Sequence, residues 1–184
     1  MTKLEYKGLQ IYQTPEEIKV LREELNKVKD IEGDVAEVGV FQGATALIIK
    51  EELSDKPLFL FDTFEGFPDE LHETDSKSYK VGDCKAGIEY VTKAMEGKKD
   101  VFIYKGNFPE NSENIRDKKF SFVHIDVDIF SATKNALGFF LSRMSKGGII
   151  VVHDYPAHRG VKEAVDSFNI IKIVKGGRQA IIQL

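Results

Sequence analysis

Residues 34–52 of this 184-residue chain read DVAEVGVFQGATALIIKEE, and this stretch determines the class of fold. The apolar residues from 34 to 40 predict a short β-strand, and the run that starts at Ala44 continues with helix-forming residues through Glu52. Gly39 ends the strand and Gly43 directly precedes the helix, as is typical of a tight connection from a strand into a helix. The stretch therefore predicts one strand–turn–helix unit of an α/β protein.

The same alternation recurs along the rest of the chain. Strands are predicted at residues 58–61, 101–104, 120–125 and 149–152, and apolar side chains at helical spacing indicate helices over residues 88–95, 136–144 and 161–168. Two runs at residues 170–174 and 179–183 flank a Gly-Gly turn and predict a terminal antiparallel hairpin. Because such alternation gives parallel strands with right-handed crossovers, we predict a Rossmann-like α/β fold with one mostly parallel sheet, in a single domain of residues 1–184.

An N-terminal helical segment is predicted within residues 1–30. Residues 14–17 read Thr-Pro-Glu-Glu, in which the threonine can cap a helix and Glu17 can bond back to the cap, so a helix is expected over residues 15–28. Residues 63–81 are polar and contain Gly66 and Pro68. They predict a long loop.

Composition narrows the choice of partner. Lysine and arginine number 26 against 30 aspartate and glutamate, a net charge of −4, so no basic excess favours nucleic acid. No apolar run approaches the roughly 20 residues that cross a bilayer, and residues 1–10 lack the apolar core of a secretion signal. We therefore expect a cytoplasmic protein without a nucleic-acid or membrane partner.

The glycine turn and a later aspartate suggest a nucleoside ligand. Gly39 and Gly43 would let a ligand approach backbone amides at a helix N-terminus, although Phe41 stands where a dinucleotide fingerprint has its middle glycine, which disfavours NAD. Asp62 ends the second predicted strand, 23 positions after Gly39 (39 to 62), close to the offset of about 20 at which an acid binds ribose hydroxyls. The alternatives are a simple tight connection for the glycines and turn capping for Asp62.

Acidic residues and one histidine follow two strands that should be neighbours. Asp126 and Asp128 come at the end of the fourth strand, and His153 and Asp154 come at the end of the fifth. Because ligands bind at the carboxyl ends of parallel strands, these four side chains predict a cation site rich in oxygen ligands with one imidazole. The alternative is that Asp128 or Ser131 caps the next helix and that Asp154 holds the following turn.

The remaining histidines and the lone cysteine are given no ligand role. His72 lies in the polar loop and His158 follows the fifth strand, and both are expected on the surface. His124 is expected to face the other side of the sheet from Asp126. Cys84 excludes an intrachain disulfide and is interpreted as a small core residue.

Six pieces of the chain, spread over residues 34–168, resemble the macrocin O-methyltransferase family of class I S-adenosylmethionine-dependent enzymes. They are EVGVFQG (37–43), FDTFEGFP (61–68), GNFP (106–109), HIDVDIF (124–130), GGIIVVHDY (147–155) and GVKEAVDSF (160–168). The resemblance implies the seven-stranded methyltransferase sheet, in which a last antiparallel strand inserts beside the fifth. It also implies transfer of a methyl group from S-adenosylmethionine to a hydroxyl of a small molecule or sugar.

The resemblance assigns roles to individual residues. The cofactor would lie against Gly39, Val40, Phe41 and Gly43, with Glu37 on its ammonium, Asp62 on its ribose and Thr63, Phe64, Asn107 and Phe108 on its adenine side. Plain core packing is the alternative for Phe64 and Phe108. Asp126, His153 and Asp154 would occupy the positions of ligands to a divalent cation, Mg or Mn, and Asp126 and His153 would be catalytic.

The chain departs from the family pattern in two respects. His153 stands where these enzymes usually have an acid, so either a metal such as Mn, Fe or Zn binds or His153 is a general base in a metal-free site. The N-terminal lid is short, and a second subunit of a homo-oligomer is one way to enclose the substrate. The competing functions are an NAD-dependent oxidoreductase and a nucleoside-binding protein without methyl transfer.

Overall fold

The computed structural model describes residues 4–184 of the chain, which form nine strands and five α-helices. The strands are β1 (Leu4–Tyr6), β2 (Leu9–Ile11), β3 (Asp34–Val38), β4 (Leu58–Asp62), β5 (Val101–Lys105), β6 (Phe120–Ile125), β7 (Met144–His153), β8 (Ile173–Lys175) and β9 (Gln179–Gln183). The helices are α1 (Pro15–Lys27), α2 (Ala44–Glu52), α3 (Ile88–Ala94), α4 (Phe130–Phe140) and α5 (Arg159–Asp166).

Seven of these strands form one sheet in the order β5-β4-β3-β6-β7-β9-β8. The five strands from β5 to β7 are parallel, and β9 pairs antiparallel with both β7 and β8. The chain moves outward from β3 to β5 and then returns to the other side of β3, so the topological switch lies between β3 and β6. The predicted mostly parallel α/β sheet with a terminal antiparallel hairpin is confirmed.

The two faces of the sheet are covered by separate hydrophobic layers. One layer packs side chains of α1, α2 and β2 against the sheet, and the other packs α4 and α5. All six residues of β6 are buried, as expected for a central strand that has helices on both faces. Among residues 4–184, no helix is both long and apolar enough to cross a membrane.

The N-terminal segment contains more than the predicted helix. The capping box is confirmed, since the Glu17 amide donates to Thr14 Oγ1 (3.3 Å) and the Thr14 amide donates to Glu17 Oε2 (2.7 Å). Ahead of it, β1 and β2 form a hairpin that was not predicted from the sequence. Lys7 ties this hairpin to α2 through an ion pair with Glu51 (2.6 Å).

Helix α4 begins several residues earlier than predicted. It starts at Phe130, a short 3-10 turn follows its end, and β7 then begins at Met144. Neither Asp128 nor Ser131 caps the helix, because the cap position is Ile129, without a side-chain bond. The Phe130 amide donates instead to Asp75 Oδ1 (2.8 Å), from the long loop.

Asp75 is therefore the anchor of the long loop. Its side chain is buried, and Oδ2 accepts from the His72 amide (3.0 Å). A Cβ atom at Gly160 would lie only 1.9 Å from Asp75 Oδ1, so the absence of a side chain at that position of α5 leaves room for the carboxylate. The loop is held at its middle by a contact that is distant in sequence.

Asp75→Ala is expected to destabilise the fold by about 1–2 kcal/mol, because the first amide of α4 and the His72 amide both lose the carboxylate that accepts from them. Chemical denaturation of the purified variant measures this loss. Glu73→Ala is the matched control, since Glu73 is an exposed acid of the same loop. Equal stability of the two variants would show that Asp75 does not anchor the loop.

Candidate active site

A cavity of about 1080 Å³ lies at the carboxyl ends of the parallel strands, where open α/β sheets bind ligands. Its volume suits a ligand of cofactor size together with a second small molecule. Seven of the ten predicted cofactor residues line it: Gly39, Val40, Phe41, Asp62, Thr63, Asn107 and Phe108. Glu37, Gly43 and Phe64 are not among the lining residues.

The glycine turn is shaped mainly by the neighbouring strand and helix. Gly39 has φ +86°, and a Cβ atom there would lie 1.9 Å from the Asp126 carbonyl oxygen. Gly43 has φ +89° at the N-cap of α2, and its Cβ would lie 2.9 Å from the Val91 side chain of α3. A side chain at position 43 would clash with α3, so Gly43 serves helix packing. A ligand contact was predicted for it, but it does not line the cavity.

Asp62, the last residue of β4, accepts hydrogen bonds from the glycine turn. Its Oδ2 accepts from the amides of Val40 (2.7 Å) and Phe41 (2.8 Å), and its Oδ1 accepts from the Phe64 amide (2.7 Å). The two amides at the turn are therefore bound to a carboxylate of the protein, in place of the ligand that was expected to approach them. Because Asp62 also lines the cavity, it combines the predicted ligand position with the alternative role of turn capping.

Glu37 and Phe64 belong to the core. Glu37 is fully buried and its Oε1 lies 2.8 Å from His124 Nδ1, so it faces the interior and does not line the cavity. Burial raises the pKa of Glu37 despite the hydrogen bond to His124. Phe64 is buried in the hydrophobic layer, as the packing alternative predicted. Neither the closeness of Glu37 to the glycine turn in sequence nor that of Phe64 to Asp62 placed its side chain in the cavity.

Three of the four residues of the predicted acidic cluster lie together after β6 and at the end of β7, on the other side of β3 from Asp62. His153 Nδ1 lies 3.1 Å from Asp126 Oδ1 and 3.2 Å from Asp154 Oδ2. Its other ring nitrogen, Nε2, lies 3.5 Å from Glu17 Oε1 at the start of α1. Three carboxylates therefore surround one imidazole, and both of its nitrogens face a negative charge.

Two further side chains donate to this cluster. The Gln13 amide group donates to Asp126 Oδ2, and the Arg178 guanidinium donates to Asp154 Oδ1. Arg178 Nε also lies 3.9 Å from Glu17 Oε1. Gln13, Glu17 and Arg178 were not predicted as site residues.

Burial and charge set the ionisation of the cluster. Burial opposes the charged form of His153, but the negative charge of Asp126, the hydrogen bond to Asp126 and the nearby carboxylate of Glu17 outweigh it and raise the pKa to about 10. Burial also opposes ionisation of Asp126, but the positive charge of His153 lowers its pKa to about 2. Near neutral pH the pair is therefore an imidazolium beside a carboxylate.

The free energy of unfolding is expected to fall between about pH 7 and pH 10. The pKa of His153 is raised from 6.5 to about 10 in the folded chain, so the folded state keeps a proton that the unfolded state has released. The stabilisation is complete below about pH 6.5 and disappears towards pH 10, at up to about 1.4 kcal/mol per pH unit. Denaturation of the wild type and His153→Gln at several pH values measures this slope; the same slope in both would contradict the assignment.

A second group of side chains lies beside the first. His158 Nδ1 lies 2.9 Å from the Tyr79 hydroxyl, 3.6 Å from Asp128 Oδ1 and 3.5 Å from Asp154 Oδ2. His158 is half-buried and lines the cavity, so the expectation of a surface position for it is wrong. Cys84 is exposed at the cavity and is not the core residue that we expected.

In this second group, Asp128 ionises close to neutral pH. Burial and the negative charge of Asp126 raise the pKa of Asp128 to about 7. Burial and the positive charge of His153 lower the pKa of His158. Asp128 also has φ +61°, a left-handed conformation that non-glycine residues adopt mostly at turns and functional sites.

The N-terminal segment forms one wall of the cavity. It is lined by Gln10, Ile11, Tyr12 and Gln13. The backbone amide of Gln10 donates to the side-chain oxygen Oε1 of Gln42 in the glycine turn (2.8 Å). The Tyr12 ring is 5.4 Å from the Phe41 ring, centroid to centroid. The N-terminal segment therefore contacts the site of its own chain. No periodic pattern in residues 4–13 predicted this position.

Fold and site together define a class of protein. A cavity between a glycine turn and a strand-end aspartate is the arrangement of nucleoside-cofactor domains, and β9 inserted beside β7 gives the seven-stranded sheet of methyltransferases. The solved structure of the O-methyltransferase NovP has this fold, with a TM-score of 0.79 and 19% identity over 90% of this chain and 78% of that one. The family model of macrocin O-methyltransferase (TylF) matches residues 15–181, and the chain belongs to this family.

Two relatives are similar to the chain at low sequence identity. The 8-demethyl-8-(2,3-dimethoxy-alpha-L-rhamnosyl)-tetracenomycin-C 4'-O-methyltransferase of Streptomyces olivaceus is 24% identical over 68% of this chain and 54% of its own length. The mycinamicin III 3''-O-methyltransferase of Micromonospora griseorubida is 25% identical over 82% of this chain and 68% of its own length. The chain therefore spans little more than half of the first relative and about two thirds of the second.

Proposed function

We propose that this chain is an S-adenosylmethionine-dependent O-methyltransferase that acts on a hydroxyl of a small molecule or sugar. The observation that carries the proposal is that one cavity is lined both by the Gly39 turn and Asp62 and by a cluster of proton-accepting and charged side chains. Membership of the macrocin O-methyltransferase family supports it, as does the O-methyltransferase activity of both relatives. When bound, the cofactor supplies an electrophilic methyl group.

The cavity residues around Asp62 fit a nucleoside cofactor. Asp62 is a strand-end carboxylate that retains acceptor capacity beyond its three amide bonds. Asn107 offers an amide, and Phe108 offers an apolar ring at the same wall. We assign ribose contacts to Asp62 and base contacts to Thr63, Asn107 and Phe108.

The residues that follow β6 and that lie at and after the end of β7 can accept the proton that the acceptor hydroxyl loses. A hydroxyl that attacks a methyl group must lose its proton to a base within hydrogen-bond reach. Asp128 and His158 line the cavity; the pKa of Asp128 is about 7, and the lowered pKa of His158 favours its neutral, proton-accepting imidazole. Asp126 and His153 keep their opposite charges at that pH, so we assign them the tasks of orientation and charge stabilisation.

A divalent cation, Mg or Mn, was predicted at Asp126, Asp128, His153 and Asp154. The groups Asp126–His153–Asp154 and Asp128–Asp154–His158 each bring three ligand atoms within 4.8 Å of one another. In the first group, His153 Nδ1 faces Asp126 Oδ1 and Asp154 Oδ2, and Gln13 and Arg178 bond the other oxygen of each carboxylate. These three facing atoms are the ones that would hold a cation. The cation stays a prediction, and no step here depends on it.

The competing functions have less support. An NAD-dependent oxidoreductase is disfavoured by Phe41 in the fingerprint and by β9, which the dinucleotide fold usually lacks. A nucleoside-binding protein without methyl transfer would have no need of the acid–base pair Asp128 and His158. A cytoplasmic location, a homo-oligomer and the absence of nucleic-acid partners stay predictions.

Methyl-labelled S-adenosylmethionine tests the proposal directly. The protein is incubated with a panel of neutral glycosides, phenols and nucleotide sugars, and label transfer is followed by mass spectrometry. We expect transfer to at least one hydroxyl and its loss in an Asp128→Asn, His158→Gln double variant that still binds S-adenosylhomocysteine. Binding of S-adenosylhomocysteine without transfer to any member of a broad panel would favour the nucleoside-binding alternative.

A further inference from the structure

Tyr12 is an exposed aromatic side chain on the N-terminal wall of the cavity. Its neighbours Ile11 and Gln13 are 5% and 4% exposed, whereas Tyr12 is 58% exposed. Ile11 packs in the hydrophobic layer, and the side chain of Gln13 donates to Asp126. The backbone is therefore fixed on both sides of a tyrosine ring that lines the cavity and stays open to it.

The Tyr12 ring lies between the glycine turn and a residue that can accept the acceptor proton. Its centroid is 5.4 Å from that of Phe41 in the turn. Burial raises the pKa of Tyr12, and Cys84 and Asp128 add to the rise, so its hydroxyl lies near both of these residues. An acceptor whose hydroxyl reaches Asp128 would therefore lie against the Tyr12 ring.

The charges that line the cavity are mostly negative. Among the described residues, seven carboxylates line it, against two permanently positive side chains, those of Lys105 and Arg178. Both cations are already paired with lining carboxylates, since Lys105 lies 2.6 Å from Glu65 Oε1 and Arg178 bonds Asp154. The excess of carboxylates is therefore left without a positive partner of permanent charge.

This excess favours some acceptors over others. A phosphate or carboxylate group inside the cavity would lose its water and lie among like charges, which is unfavourable. A neutral ring avoids this repulsion, and an ammonium group is attracted. A divalent cation at the predicted site would offset two negative charges and would still leave the lining negative.

We propose that the ring of the acceptor stacks on Tyr12, and that the charge of the cavity restricts this acceptor to neutral or positively charged molecules. The inference rests on the proposed function and narrows its substrate class to a sugar or phenol ring that carries no phosphate or carboxylate. Tyrosine suits this task because its ring offers a large contact area at a low cost in entropy and attracts cations over its face. Tyr12 is then a specificity-determining residue that touches the acceptor.

The chain contains no tryptophan, so the fluorescence of a Tyr12→Trp variant reports contacts at this position alone. The variant, saturated with S-adenosylhomocysteine, is titrated with three probes that differ only at carbon 6 of the sugar: phenyl β-D-glucoside, its 6-amino-6-deoxy derivative and phenyl β-D-glucuronide. We expect a saturable change of emission with the neutral and the amino probe, and binding of the glucuronide at least about tenfold weaker.

Tyr90→Trp is the matched control. Tyr90 is 45% exposed on α3 and does not line the cavity, so the emission of this variant should not change with any of the three probes. Calorimetry adds a test without tryptophan: Tyr12→Ala should bind the neutral probe at least about tenfold more weakly than the wild type does, and Tyr12→Phe, which keeps the ring, within about threefold of it. Circular dichroism verifies that the variants are folded.

Three results would each overturn the inference. They are no saturable response of Tyr12→Trp to any probe at millimolar concentrations, equal affinity of Tyr12→Ala and the wild type for the neutral probe, and a glucuronide that binds as tightly as the glucoside. Failure of the proposed function is a separate result, because it would appear as absent binding of S-adenosylhomocysteine before any probe is added.

Discussion

Gly39→Ala is expected to destabilise the fold by about 2–4 kcal/mol and to abolish detectable binding of S-adenosylhomocysteine. The added methyl group would lie 1.9 Å from the carbonyl oxygen of Asp126 and 3.1 Å from the Val127 side chain. These are the residues that follow β6, so the clash can be relieved only by moving the glycine turn or the end of β6. Either movement displaces one side of the cavity from the other.

Gly97→Ala is the matched control for this substitution. Gly97 also has a positive φ, of +73°, but a Cβ atom there would meet nothing within 4 Å. The control therefore carries the backbone strain of about 1 kcal/mol without the clash, and it should bind S-adenosylhomocysteine normally. Comparable stability and binding for the two variants would show that the close approach of β3 and β6 does not shape the site.

Asp62→Ala is expected to weaken binding of S-adenosylhomocysteine by at least about a hundredfold, because a charged acceptor and the support of the turn are lost together. Three backbone amides, of Val40, Phe41 and Phe64, would lose their acceptor. Unpaired amides in this part-buried position favour other conformations of the turn. Calorimetric titration measures the affinity, and thermal denaturation reports the accompanying loss of stability.

Asp62→Asn separates the two roles of this side chain. It keeps one acceptor oxygen and the side-chain volume but loses the charge, so we expect an intermediate affinity with a smaller loss of stability. Asp69→Ala is the control, since Asp69 is an exposed acid of the same cavity. If Asp62→Ala binds as tightly as the control does, Asp62 is not part of the cofactor site.

The fold was predictable because its signals are local. Strands such as β6, apolar along their whole length, and glycine turns into helices define a parallel α/β sheet without any tertiary information. The start of α4 was missed because its capping acceptor, Asp75, lies 55 positions away in the sequence. The β1–β2 hairpin was missed because its strands have only three residues each.

The site was predicted only as far as strand ends determine it. Asp62, Asp126, His153 and Asp154 converge because parallel strands end at the same edge of the sheet. Arg178 comes from the C-terminal hairpin, and its arrival at that edge depends on how the hairpin packs on α1, which no local pattern encodes.

Two misplaced residues show the limit of motif adjacency. Glu37 precedes the glycine turn by two positions, yet it faces His124 in the sheet interior. Phe64 follows Asp62 by two positions, yet it packs in the hydrophobic layer. Side chains alternate between faces along a strand, so a position beside a ligand-binding turn does not by itself indicate contact with the ligand.

Calorimetric titration of the purified protein with S-adenosylhomocysteine, with NAD as the comparison ligand, tests the central claim most directly. A cavity built from the Gly39 turn and Asp62 should bind S-adenosylhomocysteine at micromolar concentrations and should not bind NAD. Binding of NAD, or no binding of S-adenosylhomocysteine at millimolar concentrations, would contradict the assignment of this cavity to a methyltransferase cofactor.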